Sequence, residues 1–243
     1  MPRHPSVIQG AWTPQRLISD YNICSMASDF ALEPAEAFQG TASAYYEDAE
    51  KCMQRQWDAM IWPVIRDFDF SVTLDFACGH GRNTVLLARH AKRIYAVDAN
   101  PRAVEVAARR FAGLNRKACS IEVVLNNGRD LRAIPSAAVT TLYSFDSVVH
   151  FERRLVEIYM PEFARVMRPG GRAFIHHSNF GRISDNPDFK AHLGWRSNVD
   201  KDWFGRCCWS YNLWPVRQIL LDWWVGQCTF HEFDCLTVMY KPL

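Results

Sequence analysis

The stretch Val72-Thr-Leu-Asp-Phe-Ala-Cys-Gly-His-Gly-Arg-Asn-Thr84 decides the fold of this chain. Its first residues alternate between apolar and other side chains, which predicts a short strand that ends near Phe76. Gly79 and Gly81 follow and allow a turn whose backbone a ligand can approach closely. Residues 82–90 have the apolar spacing of a helix. Strand, glycine turn and helix N-terminus together predict a cradle of backbone N–H groups.

A carboxylate stands where the next strand is predicted to end. Residues 93–98 form this strand, and Asp98 lies 23 residues after Asp75. A carboxylate about 20 residues past a glycine turn is suited to accept hydrogen bonds from two ribose hydroxyls. The dinucleotide fingerprint Gly-x-Gly-x-x-Gly is not met, because Thr84 occupies the position of the third glycine. A structural turn that binds no ligand is the alternative.

Composition excludes several classes of protein. The chain has 243 residues, of which 49% are hydrophobic, enough for one large domain or one domain with an appendage. A net charge of +2 does not indicate a nucleic-acid partner. No apolar run reaches the roughly 18 residues of a membrane span, and the N-terminus lacks the apolar run of a signal peptide.

The cysteines predict neither a zinc site nor a disulfide framework. Eight are present, and none forms a Cys-x-x-Cys pair. Cys207 and Cys208 are adjacent, which is a poor spacing for metal ligands. Without an export signal, we expect reduced thiols in a cytoplasmic protein and no bound metal.

The chain is predicted to divide near residue 40. Residues 1–40 are predicted to be an N-terminal extension packed on the core or a lid over the active site, and residues 41–243 to be the main domain. Residues 42–65 have helical character, with an apolar stripe at Met53, Trp57, Met60 and Ile61. This helix packs on the sheet or, alternatively, carries aromatic residues over a bound ligand.

The elements downstream alternate between strand and helix, which predicts an α/β fold. Strands are expected at 121–125, 139–146 and 173–177, with helices after Asn100 and up to about Val166. Residues 178–210 are rich in Asn, Asp, Gly and aromatics and predict an insertion or substrate loop, although a variable connection is equally compatible. A last strand is predicted at 235–240.

Two motifs resemble class I S-adenosylmethionine (SAM) dependent methyltransferases. Leu74-Asp-Phe-Ala-Cys-Gly-His-Gly81 resembles their motif I, and Phe163-x-Arg-Val-x-Arg-Pro-Gly-Gly171 resembles the turn before their fifth strand. The resemblance covers residues 57–179. It implies a Rossmann-like, doubly wound, mostly parallel sheet with an antiparallel terminal hairpin, which residues 220–224 and 236–240 would form. It also implies SAM as the cofactor.

The resemblance further implies a set of cofactor contacts. Asn127 stands where related enzymes carry an acidic residue toward adenine, and Asp130 is the alternative. SAM carries a sulfonium cation, which aromatic rings attract, so Tyr45, Tyr46 or Trp57 is a candidate to cover it. The implied contacts are Asp75, Ala77, Gly79, Gly81 and Arg82 at the turn and methionine end, Asp98 and Asn100 at ribose, Asn127 and Gly128 at adenine, Ser144 and Phe145 at the floor, and Trp57 above.

Methyl transfer to a hydroxyl requires removal of a proton, which a histidine near the ligand edge of the sheet is suited to do. His150 follows the fourth predicted strand, and His176 and His177 end the fifth. Strand alternation lets only one of the last two face the cleft. Asp146 is a candidate to orient a histidine.

These features predict a SAM-dependent methyltransferase that modifies a hydroxyl or amine of a small molecule, such as a sugar or secondary metabolite. The expected partner is that small-molecule acceptor, with no nucleic acid and no membrane, and a homo-oligomer is left open. A non-catalytic SAM-binding partner or regulatory subunit is the first alternative. An NAD-dependent oxidoreductase is the second.

Overall fold

A computed structural model describes residues 42–114, 118–148, 151, 153–178, 224–230 and 234–242. The expected N-terminal extension or lid at 1–40 and nearly all of the expected insertion at 178–210 lie outside these ranges. Those two predictions therefore remain predictions. The described ranges contain the glycine turn and every strand that flanks it.

The described strands form one seven-stranded sheet in the order β3-β2-β1-β4-β5-β7-β6. Neighbours from β3 to β5 run parallel, and β7 runs antiparallel to both β5 and β6. This confirms the predicted doubly wound, mostly parallel sheet with an antiparallel terminal hairpin. The strands are β1 Val72–Phe76, β2 Arg93–Asp98, β3 Ser120–Leu125, β4 Val139–Ser144, β5 Met167–Ser178, β6 Trp224–Phe230 and β7 Asp234–Tyr240.

The helices follow the strands as predicted, with one clear difference in length. The helix predicted over 82–90 ends at Leu87, because the N–H groups of Arg89 and His90 bond to carbonyls three residues back and tighten the last turn. The described helices are α1 Ala42–Gln56, α2 Trp62–Ile65, α3 Arg82–Leu87, α4 Pro101–Ala112 and α5 Arg153–Val166, with a π-helical turn at Trp57–Ile61 between the first two.

The first strand of the terminal hairpin was predicted too early. The expected partner of residues 236–240 was 220–224, whereas the structure pairs Trp224–Phe230 with Asp234–Tyr240. The register shifts between Val225 and Gln227. Gly226 lies at this shift, and a glycine inside a strand weakens the sequence signal and marks an irregularity of pairing.

Apolar side chains bury both faces of the sheet. The predicted apolar stripe along α1 and the π-helical turn is confirmed, since Met53, Trp57, Met60 and Ile61 are all at most 6% exposed. They pack on one face of the sheet, whereas α5 covers the opposite face. The carboxyl ends of the parallel strands are therefore the edge at which a ligand binds in a sheet of this type.

Composition led to expectations about the cysteines and about membrane-spanning segments. Cys52 is disulfide-bonded, so the prediction of reduced thiols is wrong for this cysteine. That prediction used only the absence of an export signal, which carries no information about which sulfurs lie close together in the fold. In the part of the chain that the structure describes, no helix is long and apolar enough to span a membrane.

Candidate active site

The glycine turn after β1 has a left-handed backbone at three of its residues. The φ angles are 57° at Ala77, 55° at Gly79 and 79° at Gly81. A Cβ atom at position 81 would lie 2.3 Å from the ring of Phe111 in α4. Glycine is therefore required here both for the backbone angle and for the packing of α4 against the turn.

Ala77 adopts this conformation although its Cβ disfavours it by roughly 1–2 kcal/mol. The Ser147 hydroxyl donates a hydrogen bond to the Ala77 carbonyl at 2.9 Å. This contact ties the end of β1 to the segment that follows β4. The strained residue is thus held by the segment that follows the neighbouring strand.

Asp98 lies at the tip of β2 beside the turn, as predicted. Its Oδ2 accepts the N–H of Gly79, and its Oδ1 accepts the N–H of Asn100, both at 2.8 Å. Burial raises the pKa of Asp98, and the N–H donors oppose that shift. Each carboxylate oxygen can accept more than one hydrogen bond, so these backbone contacts are compatible with further bonds from ribose hydroxyls.

Asn100 serves the fold at the same place. Its side-chain oxygen accepts the N–H groups of Arg102 and Ala103, which caps α4. The Asn100 backbone N–H meanwhile orients the Asp98 carboxylate. The structure therefore brings Asn100 next to the predicted ribose site, where its side chain is engaged by the helix.

Asp75 lies behind the turn, where it is only 2% exposed. The Thr84 hydroxyl donates to its Oδ2 at 2.5 Å, which links β1 to α3. Burial raises the pKa of Asp75 to about 7, and the hydrogen bond from Thr84 acts in the opposite direction. The sequence did not predict this role for Thr84.

The raised pKa of Asp75 makes a prediction about stability. Between about pH 4 and pH 7 the native protein holds a proton that the unfolded chain releases, so this residue's stabilising contribution falls as the pH rises. Asp75→Asn should remove a negative contribution and so make the slope of the free energy of unfolding against pH more positive in this window, by up to about 1.4 kcal/mol per pH unit. Urea unfolding at pH 4.5 to 7 measures the slope; an unchanged slope would contradict a buried, titrating Asp75.

The predicted adenine contacts lie in a loop that their own side chains hold together. Asn127 Oδ1 accepts the N–H groups of Arg129 and Asp130 at 2.9 and 3.0 Å. Asn127 Nδ2 donates to the Asp130 carboxylate, which Arg132 also binds. Arg132 is the main reason that the pKa of Asp130 is well below its usual value. Both alternatives for the adenine contact are thus engaged within the loop, next to Gly128 with φ 73°.

A cavity of about 180 Å³ lies beside this loop. Its apolar wall includes Val97, Val124, Leu131 and Ile134, and its polar wall includes Asn127. Neither Asp98 nor the glycine turn lines it. The cavity therefore adjoins the predicted adenine contact Asn127 rather than the glycine turn.

A polar cluster stands at the carboxyl end of β4. Arg82 Nη2 lies 2.5 Å from Asp146 Oδ2, and Asp146, with φ 60°, is another left-handed residue. The Asp146 N–H donates to His176 Nδ1 at 3.0 Å, and His176 stacks on Phe145. The buried Ser144 immediately precedes this cluster, which brings together three predicted site residues and Asp146.

The predicted histidines separate as strand alternation requires. His176 joins the Asp146 cluster, whereas His177 lies on the opposite face of β5, with Nε2 2.8 Å from Thr237 Oγ1. Both rings are buried. His150 lies outside the described residues, so its role stays a prediction.

The two described aromatic candidates for covering the cofactor have different positions. Trp57 is 3% exposed and stacks on Trp62 and His90, which agrees with the alternative of core packing, and its contact with the cofactor stays a prediction. A tryptophan within an apolar stripe can make all of its ring contacts inside the core. Tyr46 instead stacks on His80 with ring centroids 3.5 Å apart, beside Gly79.

These residues fit SAM chemically. The Asp98 carboxylate lies beside the turn, the turn has glycines at left-handed positions, and an aromatic pair packs on it. Across the described ranges, no group of three or more His, Cys, Asp or Glu residues is arranged to hold a metal ion. The sequence did not predict a role for His80, although a ring between two glycines of a ligand turn is a signal that could have indicated one.

An open α/β sheet with this turn and this carboxylate defines a Rossmann-like nucleoside-binding protein. Residues 73–171 match the family model of the methyltransferase domain. This region of the chain is therefore similar to a methyltransferase domain, and SAM is the cofactor that the site fits. No curated protein matches the sequence.

Solved structures share the fold at low sequence identity. The PH0226 protein from Pyrococcus horikoshii OT3 is 17% identical with a TM-score of 0.60, covering 85% of this chain and 95% of that one. A putative SAM-dependent methyltransferase from Methanococcus maripaludis is 17% identical with a TM-score of 0.59, covering 85% and 94%. A geranyl diphosphate methyltransferase in complex with SAM is 11% identical with a TM-score of 0.58, covering 86% and 95%.

Proposed function

We propose that this methyltransferase modifies a hydroxyl or amine of a small molecule, such as a sugar or secondary metabolite. The observation that carries the proposal is the half-buried cluster of Arg82, Asp146 and His176 at the ligand edge of the sheet. Arg82 is 9% exposed and Asp146 21%, so these polar groups suit a small acceptor that enters the fold. One structural neighbour is named as a geranyl diphosphate methyltransferase, which supports a small-molecule acceptor without indicating which of its groups is methylated.

The cradle would hold the cofactor from several sides. Asp98 accepts the ribose hydroxyls, the turn from Ala77 to Arg82 receives the methionine end, and Asn127 and Gly128 flank adenine. Ser144 and Phe145 form the floor. Bound SAM supplies a methyl group that its sulfonium already activates. The protein's task is to align the acceptor with that methyl and to exclude water.

The cluster also limits which side chain can take a proton from the acceptor. His176 Nδ1 accepts the Asp146 N–H, so a neutral His176 carries its proton on Nε2 and acts there as a donor. His177 lies on the other face of the strand. Asp146 and His150 are therefore the two groups that we propose to orient and deprotonate the acceptor.

The two groups can be separated by kinetics. Asp146→Asn should lower the rate of methyl transfer at least about tenfold if its carboxylate binds the acceptor proton. His150→Ala should lower that rate while leaving the affinity for SAM nearly unchanged. Single-turnover methyl transfer and calorimetric SAM titration measure both. Full turnover in a folded Asp146→Asn protein assigns proton removal elsewhere, and full turnover in His150→Ala excludes His150 as the base.

The proposed acceptor class is tested with methyl-labelled SAM. The protein is incubated with a panel of sugars, phenols and small amines, and in parallel with bulk RNA and unfolded protein. Transfer to a member of the small-molecule panel supports the proposal. Transfer to RNA or protein alone would overturn it.

Calorimetric titration with SAM, S-adenosylhomocysteine and NADH tests which cofactor the site binds. We expect binding of the first two only. Binding of SAM without transfer to any acceptor would favour the non-catalytic subunit. Binding of NADH alone would favour an oxidoreductase.

A further inference from the structure

Tyr46 is the residue of the N-terminal helix that reaches the glycine turn. A Cβ atom added to Gly79 would lie 3.1 Å from its Cε1 atom, so the ring is in close contact with the turn. One face of the ring stacks on His80, with 3.5 Å between centroids and 18° between planes. The ring therefore lies against the turn, on the side where Gly79 carries no side chain.

The helix that carries Tyr46 is fixed to the domain at several points. Glu50, one turn further along α1, forms a two-pronged ion pair with Arg110 of α4, at 2.5 and 2.8 Å. Met53 and Trp57 are buried in the core beneath the same helix. A ring held in this way loses little conformational freedom when it contacts a ligand.

The charges near Tyr46 are those of the cofactor site. Asp98 and Arg82 both act on its hydroxyl electrostatically, and burial is the largest reason that the pKa of Tyr46 is raised to about 12. The side chain is therefore a neutral phenol. Burial, followed by the charge of Arg110, lowers the pKa of His80, which favours an uncharged imidazole behind the ring.

We propose that the Tyr46 ring, backed by His80, covers the methionine end of the cofactor and makes the protein prefer SAM to its product S-adenosylhomocysteine. SAM carries a positive sulfonium, whereas the product carries a neutral thioether. The electron-rich face of an aromatic ring attracts the cation and gains nothing comparable from the thioether. The inference rests on the proposed placement of SAM along the turn.

The consequence concerns product release. Methyl transfer removes the charge that the ring attracts, so the affinity of the site falls when the reaction is complete. A ring that distinguishes charge in this way promotes exchange of product for fresh cofactor. It is a determinant of specificity for the donor and takes no part in proton transfer.

The test measures the ratio of the two affinities in matched variants. Calorimetry gives the Kd of SAM and of S-adenosylhomocysteine for the wild type, Tyr46→Phe and Tyr46→Leu. Phenylalanine keeps the aromatic face, whereas leucine keeps apolar cover without it. We expect Tyr46→Phe to retain the wild-type preference for SAM and Tyr46→Leu to reduce it by roughly 2- to 30-fold. Thermal unfolding confirms that each variant is folded, and Tyr46→Met replaces the leucine variant if that one is not.

Each other outcome overturns the inference in a distinguishable way. An unchanged ratio in Tyr46→Leu shows that the ring does not sense the charge. A reduced ratio in both variants assigns the preference to the hydroxyl. If Tyr46→Leu lowers the affinities for both ligands by the same factor, the ratio is likewise unchanged and the ring acts only as a steric cover. If the wild type binds neither ligand, the placement of the cofactor itself fails, which is a separate result.

Discussion

Asp98→Ala is expected to weaken SAM binding by at least about tenfold. The carboxylate is oriented by the N–H groups of Gly79 and Asn100, so it is preorganised to accept the two ribose hydroxyls. Hydrogen bonds to an ionised acceptor are about twice as strong as neutral ones, and a loss of 1.4 kcal/mol corresponds to a factor of ten. Calorimetric titration of the purified variant measures this loss.

Two further variants control this experiment. Asp98→Asn keeps one acceptor oxygen and should bind SAM with an affinity between those of Asp98→Ala and the wild type. Glu122→Ala removes an exposed carboxylate from β3 that pairs with Arg93 and should bind SAM like the wild type. Wild-type affinity in a folded Asp98→Ala protein would exclude Asp98 from the ribose site.

Gly81→Ala is expected to lower the free energy of unfolding by about 2–5 kcal/mol. A left-handed backbone costs a residue with a Cβ roughly 1–2 kcal/mol, and overpacking a filled core costs about 1–3 kcal/mol. Both apply, because φ is 79° and the new Cβ would lie 2.3 Å from the Phe111 ring. Urea unfolding monitored by tryptophan fluorescence measures the change.

Gly113→Ala provides the matched control for this substitution. Gly113 follows α4 with φ −80°, and a Cβ there meets only the Arg110 carbonyl oxygen, at 3.7 Å. We expect a change within about 1 kcal/mol. In a Phe111→Leu background the cost of Gly81→Ala should shrink, since the two side chains share one volume. Equal costs in both backgrounds would show that the Phe111 ring is not the obstacle.

The predictability of the site differs from residue to residue. The position of Asp98 was predicted correctly, because the carboxyl ends of neighbouring parallel strands lie at the same edge of the sheet. Asp98 at the end of β2 therefore lies next to the glycine turn after β1. For Trp57 the sequence left two positions open, because the same apolar spacing is compatible with a core and with a ligand cover, and the structure buries this residue in the core. Asn127 and Asp130 were identified as chemically suitable, but only the fold shows that each is engaged by its neighbours in the loop.

The sequence by itself determined the order of elements, the parallel sheet and the sheet edge at which the glycine turn and Asp98 meet. These follow from local patterns, namely strand alternation, helical spacing and a glycine turn, which act over a few residues. It also determined that His176 and His177 face opposite sides, because alternation fixes that relation within one strand.

Only the tertiary structure decided which distant residues meet. Three contacts join different elements of the fold. Tyr46 contacts Gly79, Arg82 pairs with Asp146, and the Phe111 ring fills the space in which a side chain at position 81 would lie. The pairing of Trp224–Phe230 in the hairpin and the raised pKa of Asp75 likewise depend on neighbours that are remote along the chain. Packing distance and burial are properties of the folded chain, and no local pattern encodes them.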